Sequence, residues 1–321
     1  MRTRTLGKTD LQLTTVGLGT WAIGGPWQYG WGPQNDNDSI TAIHEALDEG
    51  INWIDSAPIY GCGHSEQVVG RALKQTSSKP LIATKYGLLW NDKREKVNCL
   101  DKQSIVTECE SSLKRLGIEV IDLYQMHWAS PDEQIEEAWS AMQQLARAGK
   151  IRYAGVSNCT SSQMDRLTAI YPIASQQPPY NMLNRSIEDQ LLGYCKENDI
   201  GIVAYSPMEK GLLTGKFNAE KVAQLPPDDV RLKDPQYAEP LLSANIKLIE
   251  SLTEIAARND KTVAQLAIAW VLRRPEITAA IVGARKPGQI KETAKAANWI
   301  LTDEEIEEIE DLLKSKNEII F

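Results

Sequence analysis

The strongest constraint on this chain is a repeat of alternating character. Short apolar runs punctuated by Gly, Pro, Ser or Asn recur from residue 15 almost to the C-terminus, and most are separated by amphipathic stretches. The runs fall at 15–19, 52–56, 81–85, 121–127, 153–158, 173–177, 201–206 and 279–283. Such segments read as buried strands. Between them, Ile40, Ile43 and Leu47 share one helical face before Gly50, and Ile105, Cys109, Leu113 and Leu116 do so before Gly117. Residues 131–148 open acidic, end basic and stop at Gly149, the order that a helix dipole favours. Helices are also expected at 161–170, 186–198, 241–258, 263–273 and 303–314. Residues 216–237, polar and holding Pro226-Pro227, read as a long loop. Residues 2–5 and 11–14 flank Gly7-Lys8-Thr9-Asp10 as a hairpin suited to plugging one end of the fold.

Strands that alternate with helices pair in parallel through right-handed crossovers. Eight such strands are the number that closes a (β/α)8 TIM barrel. The expected fold is that barrel, with an N-terminal β-hairpin and extra C-terminal helices, as a single domain over residues 1–321. An open nucleotide-binding sheet is the competing architecture. Gly17-Leu18-Gly19-Thr20-Trp21-Ala22 matches its GxGxxA fingerprint. Gly24, Gly25, Pro26 and Gly30 follow, however, where that fingerprint needs a helix N-terminus.

Composition narrows the function class. A net charge of −8 disfavours nucleic acid and anionic membrane as partners. Five scattered cysteines without a CxxC disfavour a disulfide framework or structural zinc, and no apolar run has the length of a signal or membrane span. A cytoplasmic setting is therefore expected. Nine Trp and ten Tyr against two Phe mark an unusual preference for aromatics with a polar handle.

A barrel enzyme carries its chemistry at the C-terminal ends of its strands. Those ends hold Asp55 with nearby Tyr60, then Lys85, His127, Ser157-Asn158, Gln176-Gln177, Tyr205-Ser206 and Gly283-Ala284-Arg285-Lys286. The opposite ends show only Gly50, Pro80, Lys150, Pro172 and Gly201. Taken singly, each polar residue has an ordinary structural reading as a cap, a solvated cation or a packed ring. Together they suggest more, since an Asp and a Lys at neighbouring strand mouths relieve each other's burial cost. A cation near a Tyr hydroxyl also favours the phenolate.

These segments resemble the aldo-keto reductases over essentially the whole chain, most nearly the bacterial NADPH-dependent branch. The likeness is carried by GLGTWAIGG (17–25), IDSAPIYGCGHSE (54–66), LIATK (81–85), DLYQMHW (122–128), KIRYAGVSN (150–158), QPPYN (177–181), YSPMEKGLLTGK (205–216) and GARKPGQIKET (283–293). The resemblance implies NADPH-dependent reduction of an aldehyde or ketone, with a tetrad of Asp55, Tyr60, Lys85 and His127 and no metal. Tyr60 is then the proton donor, Lys85 held by Asp55 lowers its pKa, and His127 orients the carbonyl. The resemblance also implies that NADPH/NADP+ meets Ser157, Asn158 and Gln177 at the carboxamide and Tyr205 at the nicotinamide ring. Ser206, Leu213 and Lys216 are implied along the pyrophosphate, Arg285 at the 2′-phosphate, and Gln289 and Glu292 near the adenosine. Thr20, Trp21, Asp55, Pro207 and Gly283 complete the implied cofactor set. Thr293 stands where the family often has Asn, so the adenine contact departs from the pattern. Trp27, Trp31, Trp90 and Trp128 are expected to wall the pocket of a small-molecule carbonyl substrate. Rival readings are an NADPH-holding sensor subunit and a barrel hydrolase or lyase using Asp55 and His127.

Overall fold

The computed structural model describes residues 1–320, and side chains through residue 316. Its centre is a closed parallel barrel of β1 (Val16–Gly19), β2 (Trp53–Asp55), β3 (Leu81–Tyr86), β4 (Ile121–Met126), β5 (Ile151–Ser157), β6 (Ser175–Gln177), β7 (Gly201–Ala204) and β8 (Ile277–Gly283). Each strand pairs with the next in sequence, and β8 pairs with β1 to close the ring. The expected (β/α)8 architecture is thus observed, with strand ends slightly shifted.

Around it run α1 (Asp36–Asp48), α2 (His64–Leu73), α3 (Lys102–Leu116), α4 (Ile135–Arg147), α5 (Ser161–Thr168) and α6 (Leu191–Glu197). A short α7 (Ala219–Ala223) lies in the connection after β7, which continues into α8 (Leu241–Ala257) and α9 (Val263–Leu272). After β8 come α10 (Gln289–Thr293) and α11 (Asp303–Ile320), and α11 packs on α8. Local chemistry sets the helix starts. The side chains of Asn35 and Asp101 accept from backbone N–H groups in the first turns of α1 and α3. Thr160 with Gln163 and Thr262 with Gln265 form capping boxes on α5 and α9.

Five departures from the expected elements have local causes. The helix α2 was not expected, because Gly63 at its start offers no side-chain cap. Residues 132–134 form a 3-10 turn before α4, and the helix expected from residue 186 begins only at Leu191. The 216–237 segment is not plain loop, since it contains α7 and 3-10 turns at Val230–Lys233 and Pro235–Tyr237. Finally, Leu88–Trp90 and Lys96–Asn98 form an antiparallel hairpin, too short for periodicity to announce.

The N-terminal hairpin pairs Thr3–Thr5 with Gln12–Thr14. Its Leu6, Leu11 and Leu13 are buried in one cluster with Trp53, Ala83, Leu123, Val203, Ala279 and Ile281 from the barrel strands. Each such leucine contributes about 2 kcal/mol, so the hairpin plugs the N-terminal end and leaves the other end for chemistry. A Cβ on Gly17 would lie 2.0 Å from Trp53 Cε2, so the plug requires glycine there. Among the described residues, no helix is long and apolar enough to cross a membrane.

Candidate active site

At the open end, Asp55 finishes β2, Lys85 lies within β3, and His127 follows β4. Lys85 Nζ donates to Asp55 Oδ1 at 2.6 Å, to the Ser56 carbonyl at 2.9 Å and to Tyr60 Oη at 3.3 Å. Lys85 is fully buried and Asp55 nearly so. A buried carboxylate needs its lone pairs satisfied. Gln125 and Gln177 meet that need by donating to Asp55 Oδ2 at 3.2 and 2.9 Å. The His127 ring stands edge-on to Tyr60, with centroids 5.8 Å apart.

The course of the chain explains how Tyr60 reaches this cluster. After Tyr60, Gly61, Cys62 and Gly63 all have left-handed φ, at 66°, 56° and 92°. A Cβ on Gly61 would sit 2.0 Å from the Gly24 carbonyl oxygen. The Tyr-Gly pair is therefore a steric demand, because the 3-10 turn Trp21–Gly24 rests directly on this bend. That turn also disposes of the GxGxxA fingerprint, since the first helix starts only at Asp36.

Electrostatics divides the roles. Burial works against the Lys85 ammonium, but Asp55 and Tyr60 outweigh it and hold its pKa above the ordinary lysine value. Burial depresses the His127 pKa well below the usual imidazole value, with the charges of Lys85 and Lys96 adding to the effect, so the ring is neutral. For Tyr60 the net direction opposes the expected lowering. Burial raises its pKa, and Lys85 only partly offsets this because Asp55 opposes the cation. Tyr60 therefore keeps its proton in the free protein.

A cavity of about 780 Å³ opens over the tetrad. Thr20, Trp21, Asp55, Ser157, Asn158, Gln177, Tyr205, Ser206, Pro207, Lys216, Gly283, Arg285, Gln289 and Glu292 line it, as do Trp27, Trp31 and Trp128. Gln177 faces the cavity, whereas Gln176 turns away and donates to the Cys159 carbonyl at 2.6 Å. Asn158, at left-handed φ 57°, bridges the His127 carbonyl and Ser157 Oγ and accepts from Tyr205 Oη at 3.0 Å. Two expected residues lie elsewhere. Leu213 is wholly buried in the main core, so its apolar side chain is spent on packing. Trp90 does not line the cavity but packs on Ala57, Ile59 and Leu88, the cluster that Tyr60 also packs against.

Several residues at or beneath the cavity were not anticipated. Gln125 is hidden inside a buried run, and its only sequence signal was an amide in an apolar strand. Lys96 arrives on the short hairpin, and Arg231 on the connection after β7. Arg231 chelates Asp229 at 2.9 and 2.6 Å and lies 4.6 Å from the Trp31 ring centroid and 5.0 Å from that of Phe217. Near it Arg285 donates to the Trp31 carbonyl at 3.0 Å, and no carboxylate pairs with it among the described residues. Burial and then the Arg231 charge pull the Arg285 pKa below the ordinary guanidinium value. The buried Trp31 indole N–H lacks an acceptor. One end of the cavity thus joins a carboxylate, an ammonium and a phenol, while the other holds the Arg285 guanidinium without a carboxylate partner among the described residues. That donor set fits an elongated phosphate-bearing dinucleotide.

Comparison with known proteins agrees with the barrel fold. The sequence profile of the Aldo/keto reductase family matches residues 15–314. The chain is 39% identical over 318 residues to aldo-keto reductase YhdN of Bacillus subtilis, covering 98% of this chain and 94% of that protein. It is 34% identical over 313 residues to the NADH-specific methylglyoxal reductase of Escherichia coli, covering 93% and 94%. Among solved structures, the glycerol dehydrogenase of Gluconobacter oxydans superposes with a TM-score of 0.89 at 40% identity, covering 98% of this chain and 95% of that one.

Proposed function

The chain belongs to the aldo/keto reductase family, and from that premise we propose that it reduces aldehydes or ketones to alcohols with NADPH as hydride source and Tyr60 as proton donor. The observation that carries this reading is the Lys85 Nζ–Tyr60 Oη contact at 3.3 Å beside a buried Asp55. When bound, the reduced nicotinamide supplies a hydride to the carbonyl carbon, and one proton completes the alcohol. Tyr60 supplies that proton from Oη to the substrate oxygen as negative charge develops there. Its raised pKa keeps the acid form loaded. Lys85 stabilises the phenolate left behind, and Asp55 holds Lys85 in place. His127, neutral and edge-on to Tyr60, donates a hydrogen bond that orients the carbonyl oxygen.

Ser157, Asn158, Gln177 and Tyr205 would hold the nicotinamide end, and Thr20, Trp21, Ser206, Pro207, Lys216, Gly283, Arg285, Gln289 and Glu292 the remainder. Trp27 and Trp128 would flank the substrate, whereas Trp31, expected there too, sits against Arg231 and Arg285 toward the phosphate end. The Escherichia coli relative is named for NADH, so family membership alone does not select the nucleotide. The choice of NADPH rests on Arg285, whose guanidinium has no carboxylate partner among the described residues and suits a 2′-phosphate. The test is to mix the protein with NADPH, and separately with NADH, and a panel of aldehydes, following the absorbance of the reduced nicotinamide. Turnover with NADPH preferred is expected. Tight NADPH binding without turnover of any aldehyde would instead favour a sensor role, and a preference for NADH would remove the assignment of Arg285.

A further inference from the structure

The substrate end of the cavity carries a cation that the tetrad does not use. Lys96, in the hairpin strand Lys96–Asn98, lines the same cavity as Tyr60 and His127. Its backbone N–H donates to Gln28 Oε1 at 2.9 Å, and its ammonium stands 5.8 Å from the Tyr29 ring centroid. These contacts stitch the hairpin to the loop after β1 and keep the charge at the mouth. Among the described residues, two carboxylates line the cavity, and neither serves Lys96. Asp55 is bound by Lys85, and Glu292 lies 3.7 Å from Lys216. Beside Tyr29 lies Trp27, ring centroids 5.4 Å apart, whose buried indole N–H has no acceptor. The field of Lys96 also reaches His127. The mouth therefore offers a cation against the apolar walls of Ile59, Leu88 and Trp128, with no free acceptor charge of its own.

We propose that the substrate is an anionic carbonyl compound, its carboxylate or phosphate seated against Lys96 at the rim beside Tyr29 and Trp27 while its carbonyl meets Tyr60 and His127. The inference rests on the carbonyl-reduction reading and adds the substrate class to it. A lysine is a point charge without a fork's geometry, so either anion satisfies it.

The experiment compares kcat/KM for two matched pairs, 4-oxobutanoate against butanal and glyceraldehyde 3-phosphate against glyceraldehyde. In the wild type one anionic member is expected to exceed its neutral partner by about tenfold or more, and the pair that shows this identifies the anion. Lys96→Met should collapse that ratio through KM, Lys96→Glu should invert it, and Lys96→Arg should retain most of it. Lys93→Met, an exposed residue of the same hairpin, should leave the ratio unchanged. Ratios near one for both wild-type pairs, or a ratio unmoved in Lys96→Met, would overturn the proposal. Absence of turnover on all four compounds would overturn the reaction reading instead. The anion seat is then judged by tryptophan fluorescence. Quenching by 4-hydroxybutanoate or glycerol 3-phosphate that weakens about tenfold in Lys96→Met supports it, and equal or absent quenching in both proteins overturns it.

Discussion

Replacing Lys85 with methionine keeps the bulk of the side chain and removes one buried charge, which makes it the most revealing perturbation of the tetrad. At 3.3 Å from Tyr60 Oη, an ammonium favours the phenolate by about 5 kcal/mol at an effective dielectric of about 20. The buried charge of Asp55 cancels part of that. Without Lys85, Tyr60 is raised further and its proton becomes harder to give. Turnover is expected to fall by about 10²- to 10⁴-fold, the usual worth of a positioned acid. Stability should also fall, because Asp55 loses its counter-charge. Gln125 and Gln177 still donate to it, so the cost should lie near the low end for a broken buried pair, about 3 kcal/mol. Steady-state rates with saturating cofactor give the first quantity and urea unfolding gives the second. A folded Lys85→Met protein that binds cofactor and keeps turnover within about threefold of wild type would refute the reasoning.

Three further outcomes follow from other residues. Gly61→Ala meets both a φ of 66° and a backbone oxygen 2.0 Å from the new Cβ; it should cost about 3 kcal/mol or more in urea unfolding, and a loss below about 1 kcal/mol would show that the bend is not held against Gly24. Arg285→Ala should weaken NADPH by about ten- to a hundredfold while sparing NADH, read by nucleotide titrations; equal loss for both would show that Arg285 does not read the phosphate. Burial raises the Glu108 carboxyl to about 7, against hydrogen bonds from the Gly87 N–H and Ser104. Because the folded state holds this proton more tightly, its contribution to stability is full below the ordinary carboxyl pKa and is lost as pH rises through about 7. The loss amounts to about 3 kcal/mol. Glu108→Gln should remove that slope between pH 5 and pH 8, and an unchanged slope in urea unfolding would place the titration elsewhere.

The barrel was visible in the sequence because each strand is a short buried run and Gly, Pro and polar residues punctuate its ends. The gathering of polar residues at the mouth was visible for the same reason. Parallel strands deliver their C-terminal residues to one rim, so Asp55, Lys85, His127, Ser157 and Gln177 converge whatever the loops do. What stayed hidden depends on chain that has no period. The Leu88–Trp90 and Lys96–Asn98 hairpin is set by its pairing, and with it came Lys96 and the displacement of Trp90 to a packing position. The connection after β7 is ordered by Asp229–Arg231 and by Tyr237, which donates to the carbonyls of Glu209 and Lys210. Burial likewise reversed the expected sign at Tyr60, since desolvation is a property of surroundings that no motif states. The excess of Trp and Tyr has a place as well, for Trp21, Trp27, Tyr29, Trp31, Tyr60, Trp128 and Tyr205 all line the cavity.

The central claim is that Tyr60 gives the proton. The direct measurement is single-turnover reduction of an aldehyde by Tyr60→Phe loaded with reduced cofactor. The phenyl ring keeps the packing beside His127 and lacks only the hydroxyl. The account predicts a rate reduced by about 10²- to 10⁴-fold with cofactor affinity retained. A Tyr60→Phe enzyme that reduces its substrate at the wild-type rate would contradict it.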